Sequence, residues 1–157
     1  METSTRIKKT FSVIGKEGST EEGPGFVEGL WGAANEGLQE IAGLAKRNAD
    51  GSLAGVWGLM SDFSRTFQPW GESFSQGLYL AGVEVEDSAT APEGWTKWTV
   101  PSFEYLRVKV EGDVLECFRE SLRYLGKNSL ALAGSVHDNV EVSENGQKYM
   151  YFPTRRL

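Results

Sequence analysis

A single cysteine and a single histidine stand among 157 residues, and that scarcity closes off several chemistries at once. One thiol, Cys117, excludes an internal disulfide and suits a reducing compartment, so a cytoplasmic location is expected. With His137 the only imidazole, no His/Cys metal cluster can be assembled, and neither a metal nor another cofactor is expected. Long apolar runs are missing too. None approaches the ~20 residues of a membrane-spanning helix, and the opening METSTRIKKT leads into no secretory signal. Basic residues are in deficit, 16 Lys and Arg against 22 Asp and Glu, for a net charge of −6. The local basic clusters, Arg6/Lys8/Lys9 and Arg155/Arg156, form no stripe that a phosphate backbone could follow. The chain by itself is therefore expected to bind neither nucleic acid nor a membrane. Its negative balance favours cationic partners, weakly at physiological salt. P-loop, dinucleotide fingerprint and nucleophile elbow are all absent.

What is present is a globular composition, 39% hydrophobic and 24% charged. The length fits one domain, or two small halves sharing a core. Residues 53–110 hold four of the five tryptophans, Trp57, Trp70, Trp95 and Trp98, with Tyr79, Tyr105 and four phenylalanines. Among them stand Asp62, Glu72, Glu84, Glu86 and Glu104. Indole and phenol rings offer π-faces that attract cations and stack on flat molecules. Aromatic walls with a few carboxylates are what a site for a flat or cationic organic molecule needs. Large aromatics are also the ordinary material of cores, so the two readings compete for each ring.

Hydrophobic periodicity orders the chain. Residues 6–15 read as a strand and 16–25 as a Gly/Ser/Thr/Glu-rich loop. A helix follows with Pro24 near its first turn, its apolar face running from Phe26 through Leu30, Trp31 and Leu38 to Ala45. Gly29, Gly32 and Gly37 each weaken it by up to ~1 kcal/mol relative to Ala. Residues 53–60 and 77–86 read as strands around an irregular segment containing Pro69. The run 95–110 is extended and broken at Pro101. Asp113 can cap a second helix with its face at Val114, Leu115, Phe118, Leu122 and Leu125, and Gly126 suits its end. A strand near 130–137, an Asn145-Gly146 hairpin turn and a last strand over 147–152, ended by Pro153, complete the chain.

Strand, helix, strand, strand occurs twice. The halves, about 6–94 and 95–157, predict an α+β fold of two β-α-β-β modules, with two helices on an antiparallel sheet. Leu53-Ala54-Gly55-Val56 and Leu132-Ala133-Gly134-Ser135-Val136 occupy matching places after the helices. The seam between such halves is a natural cleft.

Several segments together resemble the GyrI-like family: FSVIGKEG, VWGLMSDFSRTFQPW, GLYLAGVEVE, APEGWTKWTVPSFEYLRVKVEG and GQKYMYFP. These are the small-molecule effector-binding domains of bacterial multidrug-responsive transcription regulators of the AraC and MerR types. The resemblance covers nearly the whole chain. It implies one effector-binding domain over 1–157, with pseudo-two-fold modules around a central cleft, and ligands that include lipophilic cations held by rings and a buried carboxylate. Many relatives carry an N-terminal helix-turn-helix region; here the first strand begins within ten residues of Met1, so a stand-alone or an excised effector-binding domain, without a DNA-binding part, is expected. The family often has a carboxylate after the second helix, and Asp138 is the nearest match.

The candidate ligand-binding residues are thus Trp57, Asp62, Trp70, Tyr79, Glu84, Trp95, Trp98, Tyr105 and Asp138. Asp62, among Phe63, Phe67 and Trp70, can act as a counter-charge or as a turn cap. Glu84 alternates with Val83 and Val85, which places it in solvent unless it faces a cleft. Ser135, His137 and Asp138 are no catalytic triad, because adjacent strand residues point to opposite faces. Cys117 reads as a packing residue.

The expected function is binding of amphipathic aromatic molecules, cationic ones among them, linked to transcription regulation or drug sequestration. Two other readings remain: a hydrolase of electrophilic small molecules using pocket tyrosines and a carboxylate, with no catalytic residue singled out, and an inhibitor acting on a protein partner.

Overall fold

Some extended runs alternate apolar with polar residues and others are apolar on both sides, and in the computed structural model, which describes residues 1–157, they form eight strands of one antiparallel sheet. They are β1 (Thr3–Lys8), β2 (Phe11–Ser19), β3 (Val56–Ser61), β4 (Leu78–Val85), β5 (Thr96–Val100), β6 (Phe103–Lys109), β7 (His137–Glu141) and β8 (Gln147–Arg156). Helix α1 (Phe26–Glu36) lies between β2 and β3, and helix α2 (Val114–Lys127) between β6 and β7. The fold is α+β. No helix is long and apolar enough to cross a membrane.

The strand order is β1-β6-β8-β7-β3-β4-β2-β5. Its middle holds two equivalent triplets, β2-β4-β3 and β6-β8-β7, related by a pseudo-two-fold axis between β3 and β7. These two strands pair at the seam, with Val56 opposite Val140 and Gly58 opposite Asp138. The outermost strands are exchanged. β1 precedes β2 in sequence but pairs with β6, and β5 precedes β6 but pairs with β2. Only Lys9-Thr10 and Pro101-Ser102 link these neighbours, so each jump across the sheet spans at most about 11 Å of chain. The sheet must curl to bring its edges together, and the links touch where Thr10 N–H donates to Ser102 Oγ at 2.9 Å.

Curling gives the sheet two different faces. The helix-free face turns in on itself, and rings from strands that are not neighbours meet there. Phe11 and Trp57 have centroids 5.0 Å apart, and Trp57 and Tyr151 4.9 Å. The helix-bearing face carries two smaller cores, one per half. Helix α1 covers Ile14, Tyr79, Ala81 and Val83, and helix α2 covers Leu106, Val108, Met150 and Phe152. The start of α2 is fixed as the sequence suggests: the Asp113 carboxylate accepts from Glu116 N–H at 2.9 Å.

Four elements differ from the sequence reading. The single strand expected over 6–15 is two strands, because the chain leaves one sheet edge at Lys9 and after Thr10 joins the sheet one strand in from the opposite edge. The first helix stops at Glu36 with Gly37 as its cap, and the apolar spacing continues through a 3-10 turn, Leu38–Glu40. Residues 130–136 form no strand. Their backbone groups go elsewhere, Ala133 N–H to Pro153 O and Ser135 N–H to Phe67 O, both at 2.8 Å. Pro153 does not end β8. It sits opposite Tyr105, where the register shifts between Glu104 and Tyr105, and such an irregularity accommodates the missing N–H.

Candidate functional site

Gly58 has no side chain, and the phenol of Tyr79 uses that space. Tyr79 points from β4 across β3 to Asp138 on β7, and its hydroxyl donates to Asp138 Oδ2 at 2.9 Å. A Cβ at position 58 would fall on the Tyr79 hydroxyl. The same hydroxyl accepts from Trp31 Nε1 of α1 at 3.1 Å. Donors thus run in one direction, indole to phenol to carboxylate, and Asp138 Oδ1 receives no hydrogen bond from the protein. Burial pushes the Asp138 carboxyl above the ordinary carboxylate value, opposed by the Tyr79 hydrogen bond and the charge of Lys148. Burial and the adjacent Asp138 hold the Tyr79 hydroxyl well above the usual phenol range.

Two cavities meet at this carboxylate, on the helix-bearing face at the seam. The larger, about 420 Å³, has a floor of Met60, Val136 and Met150 and a wall of Val114, Leu115 and Phe118 from the start of α2. Its roof is Pro69, Trp70 and Phe74. The smaller, about 230 Å³, lies toward α1 and is lined by Trp31, Tyr79, Val110, Val140 and Lys148 among others. Asp138, Val114 and Met150 belong to both. This is the size range and mainly apolar lining of small-molecule sites.

The roof segment is tied down at one end. Asp62 accepts from Thr66 N–H (2.9 Å), Thr66 Oγ1 (2.6 Å), Gln68 N–H (3.3 Å) and Ser61 Oγ (3.0 Å). Burial pushes its carboxyl up, but the bonds from Thr66, Ser61 and Gln68 outweigh this and hold it at about 2. Trp70 Nε1 donates to Leu78 O at 2.9 Å. Beyond it, the turn Gly71–Phe74 is left-handed, with φ of 48°, 57° and 66° at Glu72, Ser73 and Phe74. Non-glycine residues pay about 1–2 kcal/mol each for that conformation. Phe74 meets Phe118 of α2 edge-on, with centroids 5.3 Å apart.

Of the residues singled out from sequence, Trp70, Tyr79 and Asp138 come together at the cavities. The others lie elsewhere. Trp57 is buried on the helix-free face, donating to Glu84 Oε1 at 3.0 Å. Glu84, also on that face, pairs with Lys8 at 3.2 Å and Lys46 at 3.4 Å, which uses its charge away from the cleft. Trp98 donates to Glu17 Oε1 at 2.7 Å, and Tyr105 is buried among Phe103, Tyr151 and His137. Trp95 packs in the core under α1, donating to Glu40 Oε1 at 2.8 Å. Asp62 serves as the cap of the roof segment. Trp57 and Trp98 pack on the helix-free face and Trp70 and Trp95 on the helix-bearing face, so the four indoles do not share one site.

Sequence reasoning missed Trp31, Phe74, Phe118 and the aliphatic wall of α2. One signal was available: the face of α2 begins with Val114 and Leu115, which the sheet leaves 44% and 54% exposed. The width of that apolar stripe exceeds what the sheet covers.

No protein-family model matches the sequence, and no curated protein is similar to it in sequence. Solved structures are similar in fold. SAV2435 bound to tetraphenylphosphonium superposes with a TM-score of 0.65 at 15% identity, over 99% of this chain and 94% of that one. The EcmrR C-terminal domain gives 0.67 at 9% identity, over 99% and 98%. A hydrolase from Listeria innocua gives 0.54 at 10% identity, over 97% and 90%. At these identities the likeness is one of fold.

Proposed function

We propose that this chain is a small-molecule effector-binding domain of GyrI-like type, taking lipophilic aromatic molecules, cations among them, into the cleft at its seam. Its role would be in transcription regulation or drug sequestration in the cytoplasm. The observation that carries the reading is Asp138: a carboxyl held by Tyr79 in an apolar cavity, with its second oxygen free of protein donors. Such a group is costly to ionise alone and gains most from a cation that brings no water with it. The apolar lining supplies affinity, and the carboxylate selects charge. The fold shared with SAV2435, whose structure contains a lipophilic cation, supports the same choice.

Trp31 and Trp70 line the cavities, so indole fluorescence reports occupancy. Titration with tetraphenylphosphonium should give saturable quenching. Asp138→Asn, which preserves size, should weaken that binding roughly tenfold or more, as expected for a charge-assisted contact. Neutral triphenylphosphine oxide should bind both proteins alike. An unresponsive wild type, or an Asp138→Asn protein that binds the cation as well as wild type does, would sink the proposal.

A further inference from the structure

The charges around the cleft are sorted. The larger chamber is lined by acids, Asp113 and Asp138, and by no lysine or arginine. The smaller contains Lys148. On β8, Lys148 and Met150 share a face. Met150 is opposite Asp138 and Lys148 opposite Val140, so Lys148 is the diagonal neighbour of Asp138. Diagonal positions lie roughly 7–8 Å apart, within reach of long side chains, yet these two groups form no salt bridge and both line the smaller chamber.

The charge of Lys148 acts on Asp138 across the diagonal, and no acid of the protein stands in direct contact with it. It forms no ion pair, and the acids near its end of the sheet are otherwise engaged. Glu144 accepts from the Tyr149 hydroxyl at 2.8 Å and lies 4.0 Å from Arg107. Glu141 is 3.6 Å from the same guanidinium. Lys148 is exposed at the outer end of the chamber, and its Nζ donates no hydrogen bond to the protein. Two complementary unpaired groups, the free oxygen of Asp138 and the ammonium of Lys148, therefore border one small chamber with an apolar one beside it.

We propose that Lys148 is a specificity-determining residue that makes the smaller chamber an anion- and acceptor-binding end. The cleft then prefers bipolar ligands over simple lipophilic cations. The preferred class is an aromatic body for the larger chamber, a cationic centre at Asp138, and a carboxylate or strong carbonyl acceptor one strand diagonal away. This rests on the reading of the cleft as a small-molecule site and adds the second polar group such a ligand must carry.

The test uses two fluorescent dyes that differ in one charge: rhodamine B, a zwitterion at neutral pH, and its ethyl ester, a plain cation. Binding is read by fluorescence anisotropy at pH 7.5 and low salt for wild type, Lys148→Gln, Lys148→Arg and a control. The readout is the ratio of the two dissociation constants, and the same loss of one charge at the remote, exposed Lys9, in Lys9→Gln, gives the shift that net charge alone produces. Lys148→Gln should shift that ratio toward the ester by roughly fivefold, the scale of a partly exposed charge-assisted contact. Lys148→Arg should keep the wild-type ratio. If both dyes bind and Lys148→Gln shifts the ratio no more than Lys9→Gln does, the role of Lys148 is overturned while the cleft remains a binding site. If neither dye binds the wild type, the binding-site reading fails and takes this inference with it.

Discussion

The Tyr79 hydroxyl reaches Asp138 over the backbone of Gly58, 2.9 Å from oxygen to oxygen, so one residue from each half closes the floor of the cleft. This contact is the only one of its kind at the seam that joins side chains of the two halves through a charge, and its geometry depends on a missing methyl group.

Gly58→Ala should therefore act at a distance from its own small volume. The added Cβ displaces the Tyr79 ring, strands a buried hydroxyl and removes the one protein donor to Asp138. We expect a loss of roughly 2–4 kcal/mol in urea denaturation. Tyr79→Phe, which removes the hydrogen bond but keeps the ring, should cost less, about 1 kcal/mol. Equal stability of Gly58→Ala and wild type would contradict the packing described.

Asp138 should impose a pH dependence on binding. The folded protein holds this proton more tightly than the unfolded chain, because burial raises its pKa above 3.8. Stability from this group is thus greatest at low pH and declines as pH rises through the folded value. Cation affinity moves the other way, rising over the same interval as the carboxyl ionises. Affinity for tetraphenylphosphonium measured upward from pH 4 should rise and level off in wild type and stay flat in Asp138→Asn.

His137 should govern the onset of acid instability. It is fully buried among Trp57, Phe67 and Tyr105, and burial lowers its pKa from 6.5 to about 3. The unfolded chain binds this proton first, so stability is complete above about pH 6.5 and falls as pH drops toward 3. The limiting slope is about 1.4 kcal/mol per pH unit. Thermal melts of His137→Leu between pH 6.5 and 5 should be flatter than those of wild type, and parallel curves would remove His137 from the acid response.

Asp62 acts lower on the scale. Its folded pKa of about 2 against 3.8 means that its stabilisation is present above pH 4 and lost as pH falls toward 2. Asp62→Ala should cost about 1 kcal/mol at pH 7, the shift being discounted for the solvent that reaches this carboxylate. Because Asp62 secures the segment that carries Trp70 and Phe74, the same change should also weaken ligand binding, seen as a raised dissociation constant in the fluorescence titration.

Periodicity made the repeated order of elements legible, and with it the α+β class and the seam. The matching stretches 53–56 and 132–136 do lead into β3 and β7, the strands that meet there. The edge exchange was hidden, because a two-residue link between strands gives the same alternating pattern whether the strands form a hairpin or lie at opposite ends of the sheet. The face on which a ring lies was hidden for a related reason. Trp57 and Gly58 are adjacent, yet one belongs to the inner core and the other to the floor of the cleft, and only the sheet's partners decide which is which. Glu84 illustrates the limit most clearly. Its alternation with valines suits solvent, but Lys8 and Lys46, far away in sequence, take it up at the rim.

The exchange of β1 and β5 has a consequence for the chain as a whole. A cut in the loop between β4 and β5 leaves two fragments, each holding a strand that belongs at the edge of the other's sheet. Neither fragment can complete its hydrogen bonding alone, whereas both together can. They should associate as a complementing pair. Two copies of a half-length ancestor could have built this sheet only as an interlocked homodimer, and joining them end to end would turn that mutual dependence into a single polypeptide.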